Sequence, residues 1–157
     1  MEIWLRQRDG ETGINLDEVD RIFSNDSPQA HLRVEDGVLY QGEQVLGAHV
    51  IVKDGETQND GKAHMGTVDW IMVECETWSM IPLENLIAHR SGSHTKIAAV
   101  INAPLEAQGA GFALEQGVDA LVISSEPAML EAALSVKAQR LERLEPDQSF
   151  ETAAMDS

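Results

Sequence analysis

Two short segments, Ile97-Ala98-Ala99-Val100-Ile101 and Ala120-Leu121-Val122-Ile123, are apolar at every position, and each leads within a few residues to a proline that opens a helix-like run. A strand apolar on both faces is covered on both faces, as in a parallel sheet with its helices outside. Strands over 68–74, 96–101 and 119–124 alternate with helices over 82–89, 104–116 and 127–144, the rhythm of βα units. Pro82, Pro104 and Pro127 each fall in a first helical turn, where a missing N–H has no intrahelical partner to lose, and Asn102 and Ser125 stand at N-cap positions.

The opening third is less regular. Residues 2–5 read as a strand, and 16–23 as a helix with Leu16, Val19, Ile22 and Phe23 on one face. Apolar runs at 31–34 and 38–40 flank Glu35-Asp36-Gly37, whose Asp-Gly pair suits a tight hairpin. A strand over 48–52 follows, and the glycine- and aspartate-rich stretch 53–66 reads as a loop. Residues 1–67 are thus the hairpin-bearing opening of one domain, 68–145 its regular repeats, and 146–157 a polar tail or truncated linker. The expected fold class is α/β: βα repeats on a mainly parallel sheet, partially TIM-barrel-like or open, because three clear units are too few to close an eight-stranded barrel.

Charge narrows the partners. With 11 Lys+Arg against 27 Asp+Glu the net charge is -16, which opposes binding to nucleic acid or an anionic membrane. No apolar run approaches the length of a membrane span, and the single cysteine, Cys75, has no disulfide or CxxC partner. Both features point to a cytoplasmic protein, and the diffuse acidity to a saline cytosol. A partial βα array would leave sheet edges exposed, so a homo-oligomer is expected.

In parallel α/β folds ligands bind beyond the carboxyl ends of the strands, which here places Glu74-Cys75-Glu76, Trp78, Asn102, Ser124 and Ser125 in view. Glu76 or Glu84 beside the Trp78 indole would have its pKa raised into acid–base range. Equally, Glu84 two residues after Pro82 is where a glutamate favours the helix dipole, Asn102 is where an N-cap belongs, and Cys75 suits a small buried hydrophobe. His31, His49, His64, His89 and His94 show no i, i+4 pair of the kind zinc hydrolases use, so they read as scattered surface residues and no metal site is expected. Gly109-Ala110-Gly111 falls inside a helix, which rejects it as a dinucleotide loop, and Gly117 reads as a helix C-cap.

The run Trp78-Ser79-Met80-Ile81-Pro82-Leu83-Glu84-Asn85-Leu86-Ile87-Ala88 resembles the W-x-I-I-P-L-E-N-L-I-A signature of the archaeal-type, type II 3-dehydroquinate synthases, and the likeness continues through 96–102 and 113–123. It covers about half the chain, from Val68 to roughly Leu144. The resemblance implies NAD-dependent oxidative deamination of 2-amino-3,7-dideoxy-D-threo-hept-6-ulosonate and cyclisation to 3-dehydroquinate, in aromatic amino acid biosynthesis. A related branch makes an aminohydroxybenzoate. Carried over on that basis, Glu84 and Asn85 are the candidate catalytic residues, with Trp78, Glu76, Asn102 and Ser124 binding substrate. The cofactor is NAD, with no binding residues assigned. Family members continue into a β-rich carboxyl-terminal region with a G-D-R-V-C segment that does not occur here, so the chain is expected to be an amino-terminal fragment, a truncated gene product or a degenerate homologue of such an enzyme. The alternative is a non-catalytic βα binding or assembly domain.

Overall fold

The computed structural model describes residues 1–6, 16–23, 32–76, 80–90 and 92–156. Its eight strands are β1 (Glu2–Arg6), β2 (Arg21–Phe23), β3 (Leu32–Glu35), β4 (Val38–Gln41), β5 (Gln44–Val52), β6 (Trp70–Cys75), β7 (Lys96–Val100) and β8 (Ala120–Ile123). Four helices accompany them: α1 (Gly55–Ala63), α2 (Met80–Arg90), α3 (Pro104–Phe112) and α4 (Pro127–Asp156). No described helix is long and apolar enough to cross a membrane.

The sheet is closed. Neighbouring strands pair in chain order, and β8 returns to β1 with Glu2 opposite Ala120 and Leu5 opposite Ile123. Every pairing is parallel except β3 with β4 and β4 with β5, where the Asp36-Gly37 turn makes the expected hairpin and Gly37 takes a φ of +77°. The α/β class and mainly parallel sheet hold, but three βα units do not leave the barrel open, because the hairpin and β2 supply the missing staves. Closure also leaves none of the described strands with a free edge, the ground on which self-association was expected.

Alternation along the strands sorts the core into two parts. Ile3, Leu5, Ile71, Val73, Ile97, Ala99, Leu121 and Ile123 join one cluster with helix residues such as Leu83, Leu86, Ile87, Ala110, Met129 and Val136, so this is the outer face of the barrel. Trp4, Phe23, Leu32, Leu39, Trp70, Met72, Ala98, Val100, Ala120 and Val122 form the other cluster, which fills the lumen. The Trp4 and Trp70 rings lie 4.7 Å apart there.

Three local expectations change. Residues 16–23 are not a helix but a short 3₁₀ turn, Leu16–Glu18, followed by β2. The Asp20 carboxylate accepts the Ile3 N–H at 2.7 Å and pairing of Arg21 with Trp4 draws the segment into the sheet, overriding a helical apolar spacing. The stretch expected as a loop contains α1, held by a reciprocal cap in which Asp54 accepts the Thr57 N–H at 2.9 Å and Thr57 Oγ1 accepts the Asp54 N–H at 3.0 Å. With no apolar stripe, α1 carries no periodic signal. At the far end α4 runs on to Asp156, through residues such as Glu145, Gln148, Ala153 and Ala154 that favour helix without a period.

Within α3, Gly111 proves to be a packing residue. A Cβ on Gly111 would lie 2.2 Å from Val136 Cγ1, so the close approach of α3 to α4 requires glycine there. The helix turns 3₁₀ over Ala113–Glu115, and Gly117, at φ +73°, donates its N–H to the Ala113 carbonyl at 2.9 Å, which fits the expected C-cap role.

Candidate active site

Parallel strands aim their carboxyl ends at one mouth of the barrel, and the lumen-facing residues there follow from the alternation. Beyond Trp4 on β1 comes Arg6, and beyond Met72 on β6 comes Glu74. His49 on β5 is in register with Met72 and shares its face. These three side chains meet. Arg6 Nη1 and Nη2 donate to the two Glu74 carboxylate oxygens at 3.2 and 3.4 Å, and His49 Nε2 lies 2.9 Å from Glu74 Oε2. The Arg6 guanidinium also sits 5.6 Å over the Phe23 ring, which fixes it from below.

The His49 hydrogen bond is the largest influence on Glu74. With the added pull of Arg6 it outweighs burial and lowers the carboxyl pKa to about 2, so Glu74 is ionised at neutral pH. An ionised carboxylate only accepts, which assigns the proton between them to His49 Nε2 and leaves the lone pair of a neutral imidazole on Nδ1.

The amino-terminal mouth is sealed differently. Glu2 Oε1 accepts from Trp4 Nε1 at 2.9 Å and from Arg21 Nε at 2.8 Å, and the Arg21 guanidinium lies 5.4 Å over Trp4 and 5.5 Å over Trp70. With the aromatic layer between, the His49–Glu74–Arg6 group is reached from the carboxyl side.

The sequence-derived candidates distribute around that side without meeting at one point. Glu76 is exposed at a cleft of about 380 Å³ lined by Val52, Lys53, Asp54, Gly55, Gln58 and Pro82, with Lys53 Nζ 3.8 Å away. Asn85, exposed on α2, donates to Gln58 Oε1 at 3.4 Å and so faces α1. Glu84 is half-buried on the same helix, whose Leu83, Leu86 and Ile87 cover the outside of the barrel. Asn102 is exposed after β7 and its N–H donates to Glu106 Oε1 at 3.0 Å. The N-cap of α3 is Ala103, not Asn102, because the residue before Pro104 is held extended. Ser124, half-buried after β8, accepts the Glu126 N–H at 3.5 Å. Trp78 lies outside the described residues. Cys75 is buried beneath the helices, and burial pushes its thiol pKa up, as suits a structural residue.

The reading of the sequence had Glu74 in view at the end of its strand but gave it no role, and it passed over His49. His49 was grouped with surface histidines, yet its side chain is only 12% exposed. Two signals were available: Glu74 is the one charged residue in the apolar strand Trp70–Cys75, and His49 interrupts the β-rich run Ala48 to Val52. Among the described residues no group of three or more His, Cys, Asp or Glu is arranged to hold a metal ion.

Comparison with known proteins supplies the family. Residues 2–136 match the 3-dehydroquinate synthase II N-terminal domain, so the likeness reaches through β1 to β5 as well as the repeats that follow. A 3-dehydroquinate synthase of Methanococcus maripaludis is 33% identical over 84 residues, which is 54% of this chain and 23% of that protein. One from Nitrosopumilus maritimus is 30% identical over 102 residues, 65% of this chain and 29% of that protein. One from Halobacterium salinarum is 34% identical over 91 residues, 57% and 23% respectively. These alignments thus take in less than a third of each relative's length. No solved structure matches the chain with significance. A closed βα barrel with a match over most of its length establishes that the chain belongs to the 3-dehydroquinate synthase II family, as an N-terminal domain.

Proposed function

We propose that this barrel is the substrate-facing part of a cytoplasmic type II 3-dehydroquinate synthase, serving deamination and cyclisation of 2-amino-3,7-dideoxy-D-threo-hept-6-ulosonate. The observation that carries this reading is the family match over residues 2–136. The polar cluster at the carboxyl mouth supports it, since converting an amino keto acid requires a group that moves protons beside the keto carbon. Glu84 and Asn85 remain part of the proposal as residues of the α2 wall, Glu76 and Asn102 as rim contacts, and Ser124 as a donor at the end of β8.

The NAD that the resemblance implies is not matched by the residues described. Gly109 and Gly111 lie within α3, and the space at Gly111 is taken up by Val136 rather than open to a pyrophosphate. The test is calorimetric titration of the chain with the aminoheptulosonate. Saturable binding that depends on an intact barrel mouth is expected. No saturable binding would overturn the proposal.

A second reading, a non-catalytic binding or assembly domain, is favoured by the spread of Glu76, Asn85, Asn102 and Ser124 around the rim, each with a local partner. Saturable binding of substrate without turnover would select it.

A further inference from the structure

We propose that His49 is the proton acceptor of this barrel, taking a proton from the carbon beside the substrate's keto group, with Glu74 as its positioning residue. This rests on the reading that the barrel serves dehydroquinate formation.

The geometry separates the three groups into roles. Arg6 occupies both oxygens of Glu74, at 3.2 and 3.4 Å, so the carboxylate cannot turn away from His49, 2.9 Å from Oε2. Such a clamp fixes the imidazole with Nε2–H toward Glu74 and Nδ1 as the basic nitrogen. A salt bridge that served stability alone would be complete with Arg6 and Glu74. The histidine adds a second ring nitrogen, Nδ1, that the contact with Glu74 through Nε2 leaves unengaged. Its side chain is 12% exposed, at the end of the barrel where parallel α/β folds place their chemistry.

In the step itself, Nδ1 takes the proton of a C–H bond adjacent to the keto group, and the bond's electron pair passes into the carbonyl to give an enolate. The imidazolium that results sits against the Glu74 carboxylate, which offsets its charge. The same proton is available to return to an oxygen or carbon of the product. No oxidant is involved.

The experiment therefore omits NAD. The chain is placed in D₂O with 2-amino-3,7-dideoxy-D-threo-hept-6-ulosonate, and deuterium uptake beside the keto group is followed by proton NMR. Wild type is expected to accelerate exchange. His49→Gln is expected to slow it by roughly 100-fold or more, the typical range for loss of a positioned base. His94→Gln, on an exposed side chain before β7, is expected to leave the rate unchanged. In parallel, ¹⁵N spectra of the histidine ring should show the Nε2–H tautomer at His49 in wild type and a mixture in Glu74→Gln, and the same variant should exchange more slowly while binding the substrate as wild type does, a split that loss of a merely structural ion pair would not produce. A folded His49→Gln protein, by circular dichroism, exchanging at the wild-type rate would overturn the proposal while leaving the proposed function standing. So would wild type that binds the substrate saturably without exchange, or an Nδ1–H tautomer at His49. Wild type that neither binds nor exchanges would overturn both.

Discussion

Replacing Glu74 by Gln keeps the shape of the side chain and removes its charge, and the structure sets the size and the pH dependence of the effect. The folded-state pKa of Glu74 is about 2 against an ordinary 4.5, chiefly through the His49 hydrogen bond and then, against burial, through Arg6. A carboxyl whose pKa is depressed on folding contributes stability that is fully present above 4.5 and is lost as pH falls through about 2. At about 1.4 kcal/mol per unit the shift is an upper bound of about 3.4 kcal/mol. With Arg6 39% and Glu74 27% exposed, screening by solvent reduces it to about 2 kcal/mol. Between pH 6 and pH 3.5 roughly two-fifths of that contribution disappears, about 1 kcal/mol. The assay is urea unfolding at 25 °C of wild type and Glu74→Gln at these two pH values. The variant should be less stable at pH 6 by about 2 kcal/mol and at pH 3.5 by about 1 kcal/mol. A stability difference that stays constant, or grows on acidification, would refute the placement of Glu74 between His49 and Arg6.

Other perturbations test the fold and the cofactor. Gly111→Ala drives a methyl into Val136 between α3 and α4, and should destabilise by about 1–3 kcal/mol in denaturant titration; a neutral effect would show that the helices do not meet there. Trp4→Ala empties the lumen beside Trp70 and Phe23 and should cost about 3–5 kcal/mol, read as a fall in the urea midpoint. Asp54→Ala removes the cap of α1 and should cost about 1 kcal/mol, checked in the same way, with α1 amides losing hydrogen-exchange protection first. Calorimetric titration of the chain with NAD should give no saturable heat at up to millimolar cofactor; tight binding would show that a dinucleotide site lies in this barrel.

How much of this was legible in sequence depended on how each element earns its stability. β6, β7, β8 and the helices after them announced themselves because strands buried on both faces must be apolar throughout, and prolines marked the helix starts. β2 did not, since three residues fix no period and its place comes from the Trp4–Arg21 pairing, a partner 17 positions away. α1 was hidden for the opposite reason, having a cap and almost no apolar face. The site was harder still. Glu74 stood in view at a strand end, whereas His49 is a single residue on a separate strand, 25 positions away, with nothing near it in sequence to mark it. Only the register of β5 on β6 brings them within 2.9 Å. The alternation that places them in the lumen is readable once the barrel is known to close, and closure was the one property that counting βα units missed.

Closure also imposes an order of events. Among the strands of this barrel β1 is made first, yet its second neighbour, β8, is made last, with Glu2 waiting for Ala120. Until β8 is made, the outer row of β1 hydrogen-bonding groups has no partner in the sheet, and the Trp4 layer is walled on that side by nothing. A nascent chain halted anywhere before Ala120 would present that open stave to its neighbours, so synthesis of this barrel is exposed to strand exchange between adjacent ribosomes until its final βα unit emerges.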